Sequence, residues 1–133
     1  MPRRLFTREE AQALLPRLTE LLTALQAQQQ ELREKERALA ARYQQRVRGN
    51  GYALGGEDLV ALQAELEAGL AALNEQLAAI DALGCELKDI DQGLVDFPAQ
   101  REGREVYLCW RLGEPTIAWW HERDAGFAGR QPL

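Results

Sequence analysis

Between Leu14 and Val47 the apolar side chains fall at Leu14, Leu15, Leu18, Leu21, Leu22, Leu25, Leu32, Leu39, Tyr43 and Val47. Steps of three, four and seven bring them to one side of an α-helix. Thr7-Arg8-Glu9-Glu10 supplies its start. A threonine hydroxyl and a glutamate carboxylate at that spacing each accept the other's orphan backbone amide, a capping box. The pattern predicts helix one over residues 7–48, with a kink at Pro16, which lacks the amide hydrogen that an unbroken helix needs there. Leu18, Leu25, Leu32 and Leu39 repeat every seven residues, while the alternate seam positions decay to Gln28, Gln29, Lys35 and Glu36. Helix one is therefore coiled-coil-like with a thin distal stripe.

Glycines in the stretch 49–56 end that helix. Helix two is predicted over 57–83, with Leu59, Leu66, Leu73 and Ile80 in a heptad series joined by Leu62, Leu70, Leu77 and Leu83. Gly84 stands where a left-handed C-cap is wanted. Helices joined by a short loop pack antiparallel, and this loop length sets Leu83 opposite Leu22 and Leu73 opposite Leu32. Leu14, Leu15 and Leu18 then run past the end of helix two. Leaving them in water would cost about 1.5–3 kcal/mol each, so the Val106, Leu108 and Trp110 face of whatever follows is expected to cover them.

From Cys85 the period shortens. Runs at 85–88, 94–97, 105–111 and 116–121 have β texture, separated by Asp91-Gln92-Gly93, Glu102-Gly103 and Gly113-Glu114-Pro115. The fold class is α+β in a single domain over 1–133: a long antiparallel two-helix hairpin, then a small antiparallel β-module over 85–133. The last two runs form a hairpin whose faces depend on loop length. A two- or four-residue loop puts Val106, Leu108 and Trp110 with Ile117, Trp119 and His121, leaving Cys109 opposite with Tyr107, Ala118 and Trp120. A three-residue loop exchanges the faces and unites Cys109 with His121. The first register matches apolar to apolar better and is favoured.

Composition narrows the function classes. With 46% hydrophobic and 28% charged residues the chain is an ordinary globular protein. No run reaches the roughly 18 apolar residues of a membrane span, and the basic N-terminus leads to Glu9 and Glu10 instead of an apolar signal core. A cytoplasmic protein is expected, with Cys85 and Cys109 as free thiols. A net charge of −5 argues against nucleic acid as partner. Residues 1–48 balance to +4, 49–83 to −6 and 84–133 to −3, the pattern of two complementary elements. Alanines at 61, 64, 68, 71, 72, 78, 79 and 82 widen the apolar surface of helix two, so a homodimer through the helices is expected.

Familiar catalytic motifs are absent, and a lone histidine removes the multi-histidine metal sites. The candidates lie in Trp119-Trp120-His121-Glu122-Arg123-Asp124 and, across the hairpin, Tyr107-Leu108-Cys109-Trp110. Cys109 and His121 with a carboxylate could make a nucleophile or a metal site, but the favoured register separates them. Trp110, Trp119 and Trp120 are read first as packing and second as an aromatic pocket anchored by His121 or Arg130. The ligand-binding candidates are His121, Glu122, Arg130, Asp96, Trp110 and Trp120, with Gly126 and Gly129 letting the tail fold back. Asp89, Asp91 and Gly93 make a solvated turn, since the downstream acid of a calcium loop is missing.

The segments Gly84-Cys85-Glu86-Leu87-Lys88-Asp89, Gly93-Leu94-Val95-Asp96-Phe97-Pro98, Val106-Tyr107-Leu108-Cys109-Trp110 and Trp120-His121-Glu122, then Gly126-Phe127-Ala128-Gly129-Arg130, resemble a bacterial family named domain of unknown function 2203. Phe6-Thr7-Arg8-Glu9-Glu10-Ala11 and Leu14-Leu15-Pro16 resemble it too, so the likeness spans nearly the whole chain. It implies a bacterial cytoplasmic origin and no particular activity, cofactor or partner. The leading expectation is a non-enzymatic, self-associating interaction or scaffold protein without cofactor or metal. The alternative is a small enzyme or ligand- or metal-binding protein with its site around His121.

Overall fold

The computed structural model describes residues 4–48 and 56–133, and side chains except those of 46–48. The predicted glycine-rich break over 49–55 lies outside them. The described elements are α1 (Arg8–Ala13), α2 (Leu15–Arg48), α3 (Gly56–Ala82), β1 (Glu86–Asp89), β2 (Leu94–Arg101), β3 (Arg104–Arg111), β4 (Trp119–His121), a 3-10 turn (Phe127–Gly129) and β5 (Gln131–Pro132). The fold class is α+β: long helices followed by a five-stranded antiparallel sheet in the order β1-β2-β3-β4-β5. No described helix is long and apolar enough to cross a membrane. The chain forms two compact units, a sheet unit (Met1–Ala24 with Leu77–Leu133) and a helical unit (Leu25–Gln76).

In the sheet unit the capping box at Thr7 is formed. The Glu10 amide donates to Thr7 Oγ1 at 3.1 Å, and the Thr7 amide donates to Glu10 Oε1 at 2.9 Å. The Thr7 backbone amide first, and then the Thr7 hydroxyl, stabilise the carboxylate form and hold the Glu10 carboxyl below its ordinary range. Pro16 does more than kink the helix. The helical run stops at Ala13, Leu14 forms a turn, and a new helix starts at Leu15 with Pro16 in its first turn, where a missing amide hydrogen leaves no bond unmade. Gly84 ends α3 at φ +94, and its amide donates to the Asp81 carbonyl at 2.9 Å.

The sheet is assembled around a tight β2–β3 pairing that runs from Leu94↔Arg111 to Arg101↔Arg104. Its turn, Glu102-Gly103, has φ of +52 and +79, a conformation that glycine adopts freely and glutamate does not. Pro98 lies within β2 beyond the last pair with β1, Glu86↔Asp96, so its missing amide hydrogen interrupts no ladder. Its carbonyl accepts from the Phe6 amide at 2.7 Å, and the Phe6 ring meets Phe97 edge-on at 5.3 Å. One face of the sheet carries Val95, Phe97, Ala99, Val106, Leu108, Trp110 and Trp120, all buried. Leu15 and Leu18 are buried and Leu14 half-buried, and Leu15 borders the same cleft as Trp110, in keeping with the cover expected for these leucines.

The favoured hairpin register is corrected. The pairs are Tyr107↔His121, Leu108↔Trp120 and Cys109↔Trp119, so His121 shares a face with Cys109 and Tyr107, and Trp120 joins Leu108 and Trp110. The cause is the connection, which is no tight turn. Residues 112–118 leave the ladder, and the backbone of Ile117 is satisfied by α1. Its carbonyl accepts from Arg8 Nε at 2.8 Å, and its amide donates to Gln12 Oε1 at 3.3 Å. Strand β5, too short to leave a periodic signature, closes the far edge against β4.

In the helical unit Leu25, Leu32 and Leu59 are buried, and Arg42 pairs with Asp58 at 3.4 Å. Leu32, expected opposite Leu73, lies instead against Gly69, one turn earlier in α3: a Cβ built there would sit 2.5 Å from Leu32 Cδ2. The missing side chain makes a notch for the leucine, and that fit sets the register locally.

Candidate functional site

The second face of the sheet is where polar side chains are buried. Because side chains alternate across a strand, the register that unites His121 with Cys109 also brings Asp96 of β2 beside them through the pair Asp96↔Cys109. Asp96 is 4% exposed and His121 1%. One ligand atom from each of Asp96, Cys109 and His121 lies within 4.8 Å of the other two. Three strands, β2, β3 and β4, thus contribute one side chain apiece.

His121 is held at both ring nitrogens. Nδ1 lies 2.7 Å from the Glu122 carbonyl, and Nε2 lies 3.0 Å from Asp96 Oδ1. A carbonyl only accepts, so Nδ1 carries a hydrogen and Nε2 is the nitrogen that faces the carboxylate. Burial pushes the Cys109 thiol up to about 12, with the adjacent Asp96 charge adding to the effect, so it stays protonated at neutral pH. It is not poised as a nucleophile. Tyr107 sits over the histidine ring at 5.4 Å and donates to Glu86 Oε2 at 3.0 Å, while Lys88 donates to Glu86 Oε1 at 2.9 Å.

Above the trio lies a cavity of about 280 Å³ lined by Lys88, Leu94, Tyr107, Arg123, Asp124 and Phe127 besides the three buried groups. The tail makes its outer wall, turning back at Gly126, whose φ of +67 a side chain would resist.

The other candidates lie elsewhere. The Glu122 carboxylate pairs with Arg104 at 2.9 Å, and only its carbonyl reaches His121. Arg130 donates to Glu114 Oε1 at 2.7 Å and to the Cys109 carbonyl at 3.3 Å, and it stacks on Trp119 and Phe127. It braces the tail against the sheet and lies outside the cavity lining. Trp110 and Trp120 belong to the opposite, apolar face; Trp110 Nε1 donates to the Glu114 carbonyl at 2.9 Å, and Arg101 lies over the Trp120 ring. The aromatic pocket is therefore not formed by Trp110 with His121. Sequence reasoning passed over Cys109, set aside on a loop-length argument, and Lys88, Tyr107 and Phe127. Tyr107 and Cys109, two apart on β3, alternate in sequence, but Lys88, Asp96, His121 and Phe127 lie on other elements and meet them only through the fold.

No curated protein and no solved structure is significantly similar to the chain. A family model described as an uncharacterized conserved protein, DUF2203, matches residues 4–133, essentially the whole fold with its buried trio. The chain belongs to that family.

Proposed function

We propose that this chain is a small self-associating binding protein, whose sheet takes a small anionic molecule and whose helices bring copies together. The binding reading rests on one observation: a cavity of about 280 Å³ floored by a buried Asp96, Cys109 and His121. Sheets of this size bury hydrocarbon, and a carboxylate and an imidazole in the interior are an expense that pure packing does not need. The volume lies near the lower end for ligand sites and suits a fragment-sized molecule. Lys88 and Arg123 at the rim, paired with Glu86 at 2.9 Å and Glu105 at 3.3 Å, still carry further donors for an anion, and Tyr107 and Phe127 favour an apolar body. Benzoate combines both features. Millimolar benzoate should shift the amide resonances of Lys88, Tyr107, His121 and Phe127 in the reduced protein. Shifts scattered over the surface, or none, would sink this reading.

Self-association is favoured by a separate observation. In the helical unit Val60 is 64% exposed, Leu70 41% and Tyr43 48%, and Ala61, Ala64, Ala68 and Ala71 are also exposed. An antiparallel, coiled-coil-like pairing of α2 with α3 covers a stripe of each helix, and a two-fold four-helix assembly would cover more. Two free cysteines suit a reducing compartment such as the cytoplasm. Light scattering at micromolar concentration should give at least twice the chain mass; a 15.0 kDa particle would exclude the assembly.

A further inference from the structure

We infer that Asp96, Cys109 and His121 form a three-coordinate site for a transition-metal ion of the zinc type, with its fourth position open to the cavity. This deepens the binding-site reading and rests on it for the role of the cavity.

The donor set is the first ground. A thiolate, an imidazole nitrogen and a carboxylate oxygen match zinc and its neighbours, whereas magnesium and calcium take oxygen alone. Geometry is the second. Zinc bond lengths place tetrahedral ligand atoms roughly 3.3–3.6 Å apart. The His121–Asp96 separation of 3.0 Å and the outer limit of 4.8 Å for the trio bracket that range, so closure needs side-chain shifts of about 1 Å or less. Orientation is the third. The bond from Nδ1 to the Glu122 carbonyl fixes the tautomer in which Nε2 offers its lone pair toward Asp96 and Cys109. Ligating histidines are held by such an outer hydrogen bond.

Charge completes the case. A divalent cation between a carboxylate, a thiolate and a neutral imidazole makes a buried centre of zero net charge, with the thiol proton released as the metal binds. Three protein ligands leave one tetrahedral vertex, as in zinc sites that act on a bound water or ligand. The cavity that Lys88, Arg123 and Phe127 border adjoins these three side chains, so an anion there would complete the coordination.

Cobalt(II) is the probe, because thiolate ligation gives an intense near-ultraviolet charge-transfer band and tetrahedral geometry strong visible bands. Reduced wild-type protein titrated with Co2+ should develop both at one ion per chain, and Zn2+ should abolish them. Cys85→Ser should keep the near-ultraviolet band and Cys109→Ser should lose it, with His121→Gln weakening metal affinity by about 100-fold or more. The wild-type titration needs no variant to fold. If reduced wild type shows no thiolate band at saturating Co2+, or Cys109→Ser retains it, the metal assignment is wrong. In that case benzoate shifts at Lys88 and Phe127 would leave the pocket reading standing, while metal binding without any benzoate response would remove the anion reading alone.

Discussion

In the sheet unit an aspartate, a histidine and a thiol lie out of reach of water, each with a partner, and Arg130 Nε alone lacks one among the described residues, whereas in the helical unit the buried carbonyl oxygens of Gln28 and Gln76 find none among them. The apolar residues invert the contrast. Phe97, Val95, Trp110 and Ile117 of the sheet unit are fully enclosed, while Val60, Leu70 and Tyr43 of the helical unit stand in solvent. A buried acceptor without a donor costs about 1–3 kcal/mol. The sheet unit has thus partnered its buried carboxylate, imidazole and thiol within the chain, and the helical unit presents a surface that a second surface would complete.

The sharpest way to break that contrast is Asp96→Ala. It strips His121 of its buried partner and should cost about 3–5 kcal/mol in urea denaturation of the metal-free protein. A loss below about 1 kcal/mol would mean that the pair contributes little to the sheet unit. Next come matched leucines. Leu18→Ala, in a fully enclosed position, should cost about 2–5 kcal/mol, and Leu70→Ala only about 0.5 kcal/mol or less in an isolated chain. A large loss at Leu70 with a melting temperature that rises with protein concentration would show that association buries it.

Gln76→Leu removes an orphan acceptor and should raise stability by about 1–2 kcal/mol. If it destabilises instead, something donates to that carbonyl in solution. Glu102→Asn, at the positive-φ position of the β2–β3 turn, should add about 1 kcal/mol and leave the helical unit untouched. A further effect is alkaline. Burial first, and then the charge of Asp81, lifts the Cys85 thiol from 9.0 to about 11. The unfolded thiol ionises first, so its contribution is present below pH 9 and is lost as pH rises toward 11. Thermal melts across that window should fall less steeply for Cys85→Ala.

Local signals were the legible ones. The Thr7 capping box, the left-handed Gly84, the long helices and the Glu102-Gly103 turn all follow from residues adjacent in sequence, and all are present. What sequence could not supply depends on distant partners. The faces of β4 are set by Arg8 and Gln12 holding Ile117 across more than a hundred residues, which no loop-length rule contains. The split at Leu14 and the use of Phe6 to edge β2 at Pro98 have the same origin. Asp96, Cys109 and His121 were each visible as chemistry, and their meeting was hidden by that single register.

The ties from Arg8 and Gln12 to Ile117 span 109 and 105 positions of sequence. During synthesis the first turn of helix therefore leaves the ribosome long before its partner exists. The helical unit is one continuous stretch and can pair as soon as it is made. The sheet unit joins the first and last parts of the chain, so it closes late and carries a large loop-closure entropy. Between those moments Phe6, Leu15 and Leu18 have no sheet to cover them, a window in which the nascent chain is most prone to stick to others.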